Sequence, residues 1–149
     1  MKSFTRKTFL FVMTFAVVLA AQSSSAAPLL PNPVLFLTGL DHVVVNGKQV
    51  IRYNYDVLNK DEYPAELFAP APKLPPCGAN TNAARTWVDV YDQSGKRLQG
   101  FCALGKPADL GKIWFALEED TIPPSYIYIE LNDRQTGTKY KSNLAETTL

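Results

Sequence analysis

Val43-Val44-Val45-Asn46-Gly47-Lys48-Gln49-Val50, running straight into Ile51-Arg52-Tyr53-Asn54-Tyr55-Asp56-Val57-Leu58-Asn59, is the stretch on which the fold turns. Asn-Gly between two β-rich runs is a strong short-range hairpin signal, because both residues accept the positive φ of a type I′ turn. It predicts strands over Val43–Val45 and Gln49–Leu58. In the second run Ile51, Tyr53, Tyr55 and Val57 alternate with polar residues, so one strand face is apolar and the other is not. Working outward, Val34–Thr38 is a further strand candidate. Thr86–Tyr91 and Arg97–Leu104 flank the turn Asp92-Gln93-Ser94-Gly95, Ile113–Leu117 follows, and Ser125–Asn132 faces Thr138–Ser142 across a turn ending in Gly137. Ile127, Ile129 and Leu131 share a face, as do Ile113, Phe115 and Leu117. Beyond the first residues no apolar pattern has helical spacing, and prolines at 64 and 70 limit Tyr63–Phe68 to a turn. This predicts an all-β chain: a two-sheet antiparallel sandwich of about seven strands, with a small β-barrel as the alternative.

The order of these features resembles the immunoglobulin-like and fibronectin type III-like β-sandwich superfamily over roughly Val34 to Asn143. Its carriers are the run Ile51–Asn59 as a second strand, Trp87 opening a third, and Tyr126-Ile127-Tyr128 starting a penultimate strand that leads into a hairpin. The resemblance implies a sandwich of that type, with Tyr126 or Tyr128 as its tyrosine corner. It is a likeness of strand order and points to no named functional family. Antibody-type domains join their second and sixth strands by a disulfide, whereas Cys77 and Cys102 lie mid-chain.

The first 26 residues read as a cleavable signal peptide. Lys2, Arg6 and Lys7 precede an apolar run from Phe9 to Ala21, and Ser24-Ser25-Ala26 supplies small residues for cleavage after Ala26. That run covers only about two-thirds of a ~30 Å bilayer core, so no membrane span is expected after cleavage. Residues 27–33, with Pro28, Pro31 and Pro33, are expected to be extended, and 34–149 to form one sandwich domain. Export also changes the charge. The 15 basic residues fall to 12 against 14 acids, so the precursor's +1 becomes −2. Charges of one sign do not cluster, which argues against nucleic acid as a partner. An exported chain meets an oxidising compartment, where Cys77 and Cys102 are expected to form one disulfide rather than free thiols or a metal pair.

Lys60–Arg85 is a long connection stiffened by Pro64, Pro70, Pro72, Pro75 and Pro76. The disulfide would pin its far end, leaving Leu67 and Phe68 to plug one end of the sandwich. As the other reading, the loop serves a ligand or partner, with Asn80 and Asn82 as candidate binding residues; such residues more often close turns.

Catalytic groups are sparse. His42 is the only histidine and stands beside Asp41 without a nucleophile turn, and a Cys-His pair would require a reduced cysteine. Asp89, Asp92 and Asp133 sit at strand ends and turns, and Glu118-Glu119-Asp120 is an acidic corner without the calcium-loop pattern of an EF-hand. No enzyme, cofactor or metal site is therefore expected. The aromatic residues are more suggestive. Facing Ile127, Ile129 and Leu131 inward turns Tyr126, Tyr128 and Glu130 outward; the strand from Thr86 puts Val88 and Val90 on one face and Trp87, Asp89 and Tyr91 on the other. In an immunoglobulin-like arrangement these strands are neighbours. Trp87, Tyr91, Tyr126 and Tyr128 then form an exposed strip, a candidate surface for a protein or a glycan; a one-residue difference in register would instead bury Trp87 and Tyr91, the commoner place for a third-strand Trp. The reading that follows is an exported, secreted or periplasmic, non-enzymatic module binding a protein or glycan partner at the cell envelope. The alternatives are a structural subunit of an envelope assembly, or a small exported hydrolase or inhibitor.

Overall fold

The computed structural model describes residues 29–80 and 82–148. The signal segment expected at 1–26, with its cleavage point, lies outside the described residues, as does Thr81. Asn46 and Gly47 have φ of 52° and 79°, the pair of left-handed residues that closes a two-residue hairpin. The hairpin joins β1 (Leu35–Val45) to β2 (Lys48–Val57), and β5 (Ile113–Glu118) lies on the other side of β2, antiparallel. The second sheet has the order β4 (Arg97–Phe101), β3 (Thr86–Asp92), β6 (Tyr126–Asp133) and β7 (Lys139–Lys141), with β8 (Ala145–Glu146) also on β6. Every pairing is antiparallel. The two sheets form an open sandwich, not a closed barrel. First, second and fifth strands in one sheet and third, fourth, sixth and seventh in the other is the immunoglobulin-like partition, with the fourth strand added beside the third.

Three boundaries differ appreciably from the sequence expectation, and the simplest is that the strand expected over Arg97–Leu104 ends at Phe101. Val34–Thr38 and Val43–Val45 are parts of one strand, because an irregularity between Leu37 and Gly39 shifts the register and lets the chain continue in the sheet. Pairing on β6 also continues past the expected last strand: β7 ends at Lys141, Ser142 is buried while Asn143 stays exposed, and β8 resumes on β6 nearer its start. Asn143 also closes one end of the β1 edge, its amide donating to the Leu35 carbonyl at 3.0 Å while its Oδ1 accepts from the Leu35 N–H at 2.7 Å.

The alternation read in the sequence supplies the core. Tyr53, Tyr55 and Val57 of β2, Ile113 and Phe115 of β5, Val88 and Val90 of β3, and Ile127, Ile129 and Leu131 of β6 are all buried. Tyr53 and Phe115, cross-strand partners, stack with ring centres 4.7 Å apart. Buried Tyr55 satisfies its hydroxyl by donating to the Glu146 carbonyl at 3.2 Å.

The long connection is ordered by short turns and by pairing. The 3₁₀ turn at Ala65–Phe68, after a shorter one at Lys60–Glu62, carries Leu67 and Phe68 into the core, so the connection adds to what the sandwich buries. Tyr63, also buried, donates to the Pro31 carbonyl at 2.8 Å and ties down the Pro-rich start. Pro70 bridges to Ala84, whose N–H donates to the Cys102 carbonyl at 2.8 Å. Cys77 and Cys102 form a disulfide with Cα atoms 6.2 Å apart, joining the connection to the residue after β4. A third 3₁₀ segment, Pro107–Lys112, stands where an immunoglobulin-like sheet often has another strand, and buries Leu110 beside β2.

Candidate functional site

Strands β3 and β6 are adjacent, and their register decides the fate of the aromatic residues. Val88 pairs with Leu131 and Val90 with Ile129, all four inward. Trp87, Asp89 and Tyr91 consequently point outward beside Asn132, Glu130 and Tyr128. The core reading for Trp87 and Tyr91 therefore gives way, both being half-buried on the outer face, and the expected exposed strip is corrected too: only Tyr126 is exposed, while Tyr128 is buried beneath its neighbours on that face. Tyr91 and Tyr128 stack at 5.2 Å, and Lys141 of β7 lies 3.8 Å above the Tyr128 ring. Burial pushes the Tyr91 hydroxyl above its ordinary pKa, with smaller contributions from Asp89 and Glu130. At one end of the face the Arg134 guanidinium lies 3.9 Å over Trp87, held by the carbonyls of Ala84 and Pro75. Between the two aromatic clusters runs a row of ion pairs, Arg97 with Asp89 at 2.7 Å and Lys139 with Glu130 at 3.4 Å.

Gly100 makes that row possible. It sits opposite Asp89 on β4, and a Cβ there would come within 1.8 Å of Arg97 Nη2. The missing side chain is the space through which Arg97 reaches across to Asp89. Tyr126 stands at the far end of β6, beside Glu146 of β8, and is 40% exposed. The structure thus brings Tyr91 and Tyr128 together and sets Trp87 and Tyr126 at opposite ends of the same face, while Asn80 and Asn82 belong to a turn of the long connection. Asn80 closes a turn with Cys77, and its Oδ1 accepts from the Asn82 N–H at 3.0 Å. Among the described residues, neither the Tyr126 nor the Tyr128 hydroxyl donates the backbone hydrogen bond of a tyrosine corner; the buried tyrosine hydroxyls that do bond to backbone are those of Tyr55 and Tyr63. Sequence reasoning missed Arg97, Gly100, Arg134 and Lys141. A usable signal was the alternation Lys139-Tyr140-Lys141, which sends both lysines to the face opposite buried Leu131's partner Tyr140.

The other candidate chemistry resolves into structural pairs. Asp41 is bound by Arg52 at 2.7 Å and Asn54 at 2.8 Å, which hold its carboxyl below the ordinary range. His42 points away from it, toward Glu119 at 3.7 Å. Glu118 pairs with Lys48. Asp92 caps the β3–β4 turn by accepting from Ser94 and Lys96, and the Ser94 hydroxyl chiefly lowers its pKa. Buried Asp133 takes Arg85 in a two-point contact at 2.8 and 2.6 Å and also accepts from the Gln135 N–H and the Thr136 hydroxyl. With Arg85 the leading cause, its pKa falls to about 2. Among the described residues no three His, Cys, Asp or Glu side chains gather as metal ligands, and no helix is long and apolar enough to cross a membrane.

No protein-family model and no curated protein matches this chain. Among solved structures it is similar to a human pre-T cell receptor crystal structure, at 16% identity and a TM-score of 0.43, over 78% of this chain and 99% of that one. The immunoglobulin-like assignment rests on the strand order itself.

Proposed function

We propose that this chain is an exported, disulfide-stapled immunoglobulin-like module that binds a protein partner through the outer face of β4–β3–β6–β7. One observation carries the reading: Trp87, Tyr91, Arg97 and Arg134 share one ordered outer face, with Tyr128 packed beneath Tyr91 and Lys141, held by ring stacking, cation–π contacts and ion pairs. Trp, Tyr and Arg dominate the energetics of protein interfaces, and side chains already held in place lose little entropy on binding. The same geometry disfavours a glycan. A sugar needs an open ring face, and here Arg134 covers Trp87 while Tyr91 and Lys141 cover Tyr128, which is only 8% exposed. A binding role is favoured over a catalytic one because Asp41, Asp133 and Glu118 are each tied to a cation and both cysteines are joined. Export rests on the signal segment, the disulfide and the expected mature start at Ala27, which intact mass of the chain from the producing cell's envelope or medium would check.

A photo-crosslinking side chain at position 139 tests the face, with position 58 at the end of β2 as control. In the producing cell, a discrete protein adduct is expected from 139, none from 58, with no competition by soluble oligosaccharides. Equal adducts from both positions, or saturable oligosaccharide binding to the purified chain, would overturn the proposal.

A further inference from the structure

A second interaction surface lies on the other sheet, at the edge formed by β1. The Glu119 N–H donates to the Gln49 carbonyl, so Gln49, Ile51 and Tyr53 bond toward β5, and the alternate residues of β2 bond toward β1. Their partners on β1 are Val45, Val43, Asp41 and Gly39. The backbone groups of Leu40, His42 and Val44 therefore point away from β2, and among the described residues no strand takes them up. The Leu35 end of the same edge is closed by Asn143. The side chains of Leu40, His42 and Val44 emerge on the sandwich-interior side of the sheet, the side of Tyr53 and Ile51, yet all three are exposed, Val44 by 62%. From Leu40 to Val44, beyond the irregularity at Leu37–Gly39, the ladder is open, flanked by exposed aliphatic side chains and free of Pro and Lys, which leaves it available for pairing.

We infer that Leu40–Val44 pairs with the same segment of a second copy, antiparallel about a two-fold axis at His42. That occupant is chosen by complementarity. Antiparallel pairing about His42 sets Leu40 against Val44 of the partner copy and Val44 against its Leu40, so each outward N–H and C=O meets its counterpart and each exposed aliphatic side chain meets another. Charge agrees. Asp41, the only acid in β1, emerges on the opposite side of the sheet, is neutralised by Arg52, and lands across from Val43 rather than a second acid. The product is a continuous sheet, two copies of the three-stranded β1–β2–β5 joined edge to edge. An isologous contact of this kind closes as a dimer. The outer face of the other sheet remains free, so this pairing is independent of the partner-binding reading.

Sedimentation equilibrium of the disulfide-bonded mature chain tests the pairing. Concentration-dependent dimerisation with a dissociation constant below about 1 mM is expected, weakened at least about tenfold by Val44→Lys. Ile122→Lys, at a site 90% exposed outside the strands, is expected to leave it unchanged. Register is read separately: paired residues in such a ladder have Cα atoms about 5.5 Å apart, within disulfide reach. His42→Cys should therefore oxidise to a covalent dimer faster than Ile122→Cys. A native chain that stays monomeric to about 1 mM, equal effects of the two lysines, or equal oxidation of the two cysteines overturns the inference.

Discussion

Replacing Asp133 by Asn removes one charge from a carboxylate that accepts from Arg85 twice, from the Gln135 N–H and from the Thr136 hydroxyl. The magnitude follows from two routes. Asp133 titrates at about 2 in the fold against an ordinary 3.8; at ~1.36 kcal/mol per pH unit that difference favours the folded carboxylate by about 2.5 kcal/mol. Independently, breaking a largely buried ion pair from one side costs ~3–5 kcal/mol, and Arg85, 23% exposed, belongs at the lower end. Asp133→Asn should therefore destabilise by about 3 kcal/mol at pH 7 in urea unfolding. Because the folded pKa is depressed, the charge contribution is complete above about pH 5 and is lost as pH falls through 3.8 toward 2, where the unfolded chain binds the proton first. Wild type and variant should converge over that window, which removes the other carboxylates from the comparison. The variant Arg85→Met combined with Asp133→Asn should cost less than the sum of the two, by about 2 kcal/mol. A loss under about 0.5 kcal/mol at pH 7, or a difference that stays flat between pH 5 and 2, would refute the assignment of Arg85 and Asp133 as a stabilising pair.

Four further outcomes are expected. Phe68→Ala should destabilise by ~3–5 kcal/mol in the same assay, since Phe68 is fully buried by the Pro-rich connection; near-neutrality would mean the plug is dispensable. Replacing both Cys77 and Cys102 by Ser opens a loop of sequence separation 25 and should cost about 3.5 kcal/mol, measured against the oxidised native chain. Trp87→Ala should cost about 2 kcal/mol, below the range of a full core Trp, because only part of the ring is covered and Arg134 supplies a cation–π contact; a loss above about 4 kcal/mol would place it in the core after all. Gly100→Ala should cost up to about 1 kcal/mol by displacing Arg97 from Asp89, and the cost should shrink in an Arg97→Ala background, where only the Asp89 carboxylate, 2.8 Å from the new Cβ, still has to move; an undiminished cost there would refute the role given to Arg97.

The sequence by itself determined the elements and their inner faces. Asn46-Gly47 specifies its own turn through local φ preferences, and alternation in Ile51–Val57 and Ile127–Leu131 marks the buried side because a strand's side chains repeat every two residues. Two cysteines allow one intrachain pairing, and that one formed. What tertiary structure decided were relations between segments far apart in the chain. Whether Trp87 was core or surface depended on its register against Asn132, and no local preference encodes which of two strand faces meets the other sheet. The cations over Trp87 and Tyr128 come from the β6–β7 turn and from β7 itself, and Gly100 acquires its role only because Asp89 lies opposite it. The open stretch of β1 became visible in the same way, once the register at Gln49 assigned each backbone group a direction. Local sequence sets what each strand can bury; pairing between distant strands sets what each one leaves on the surface.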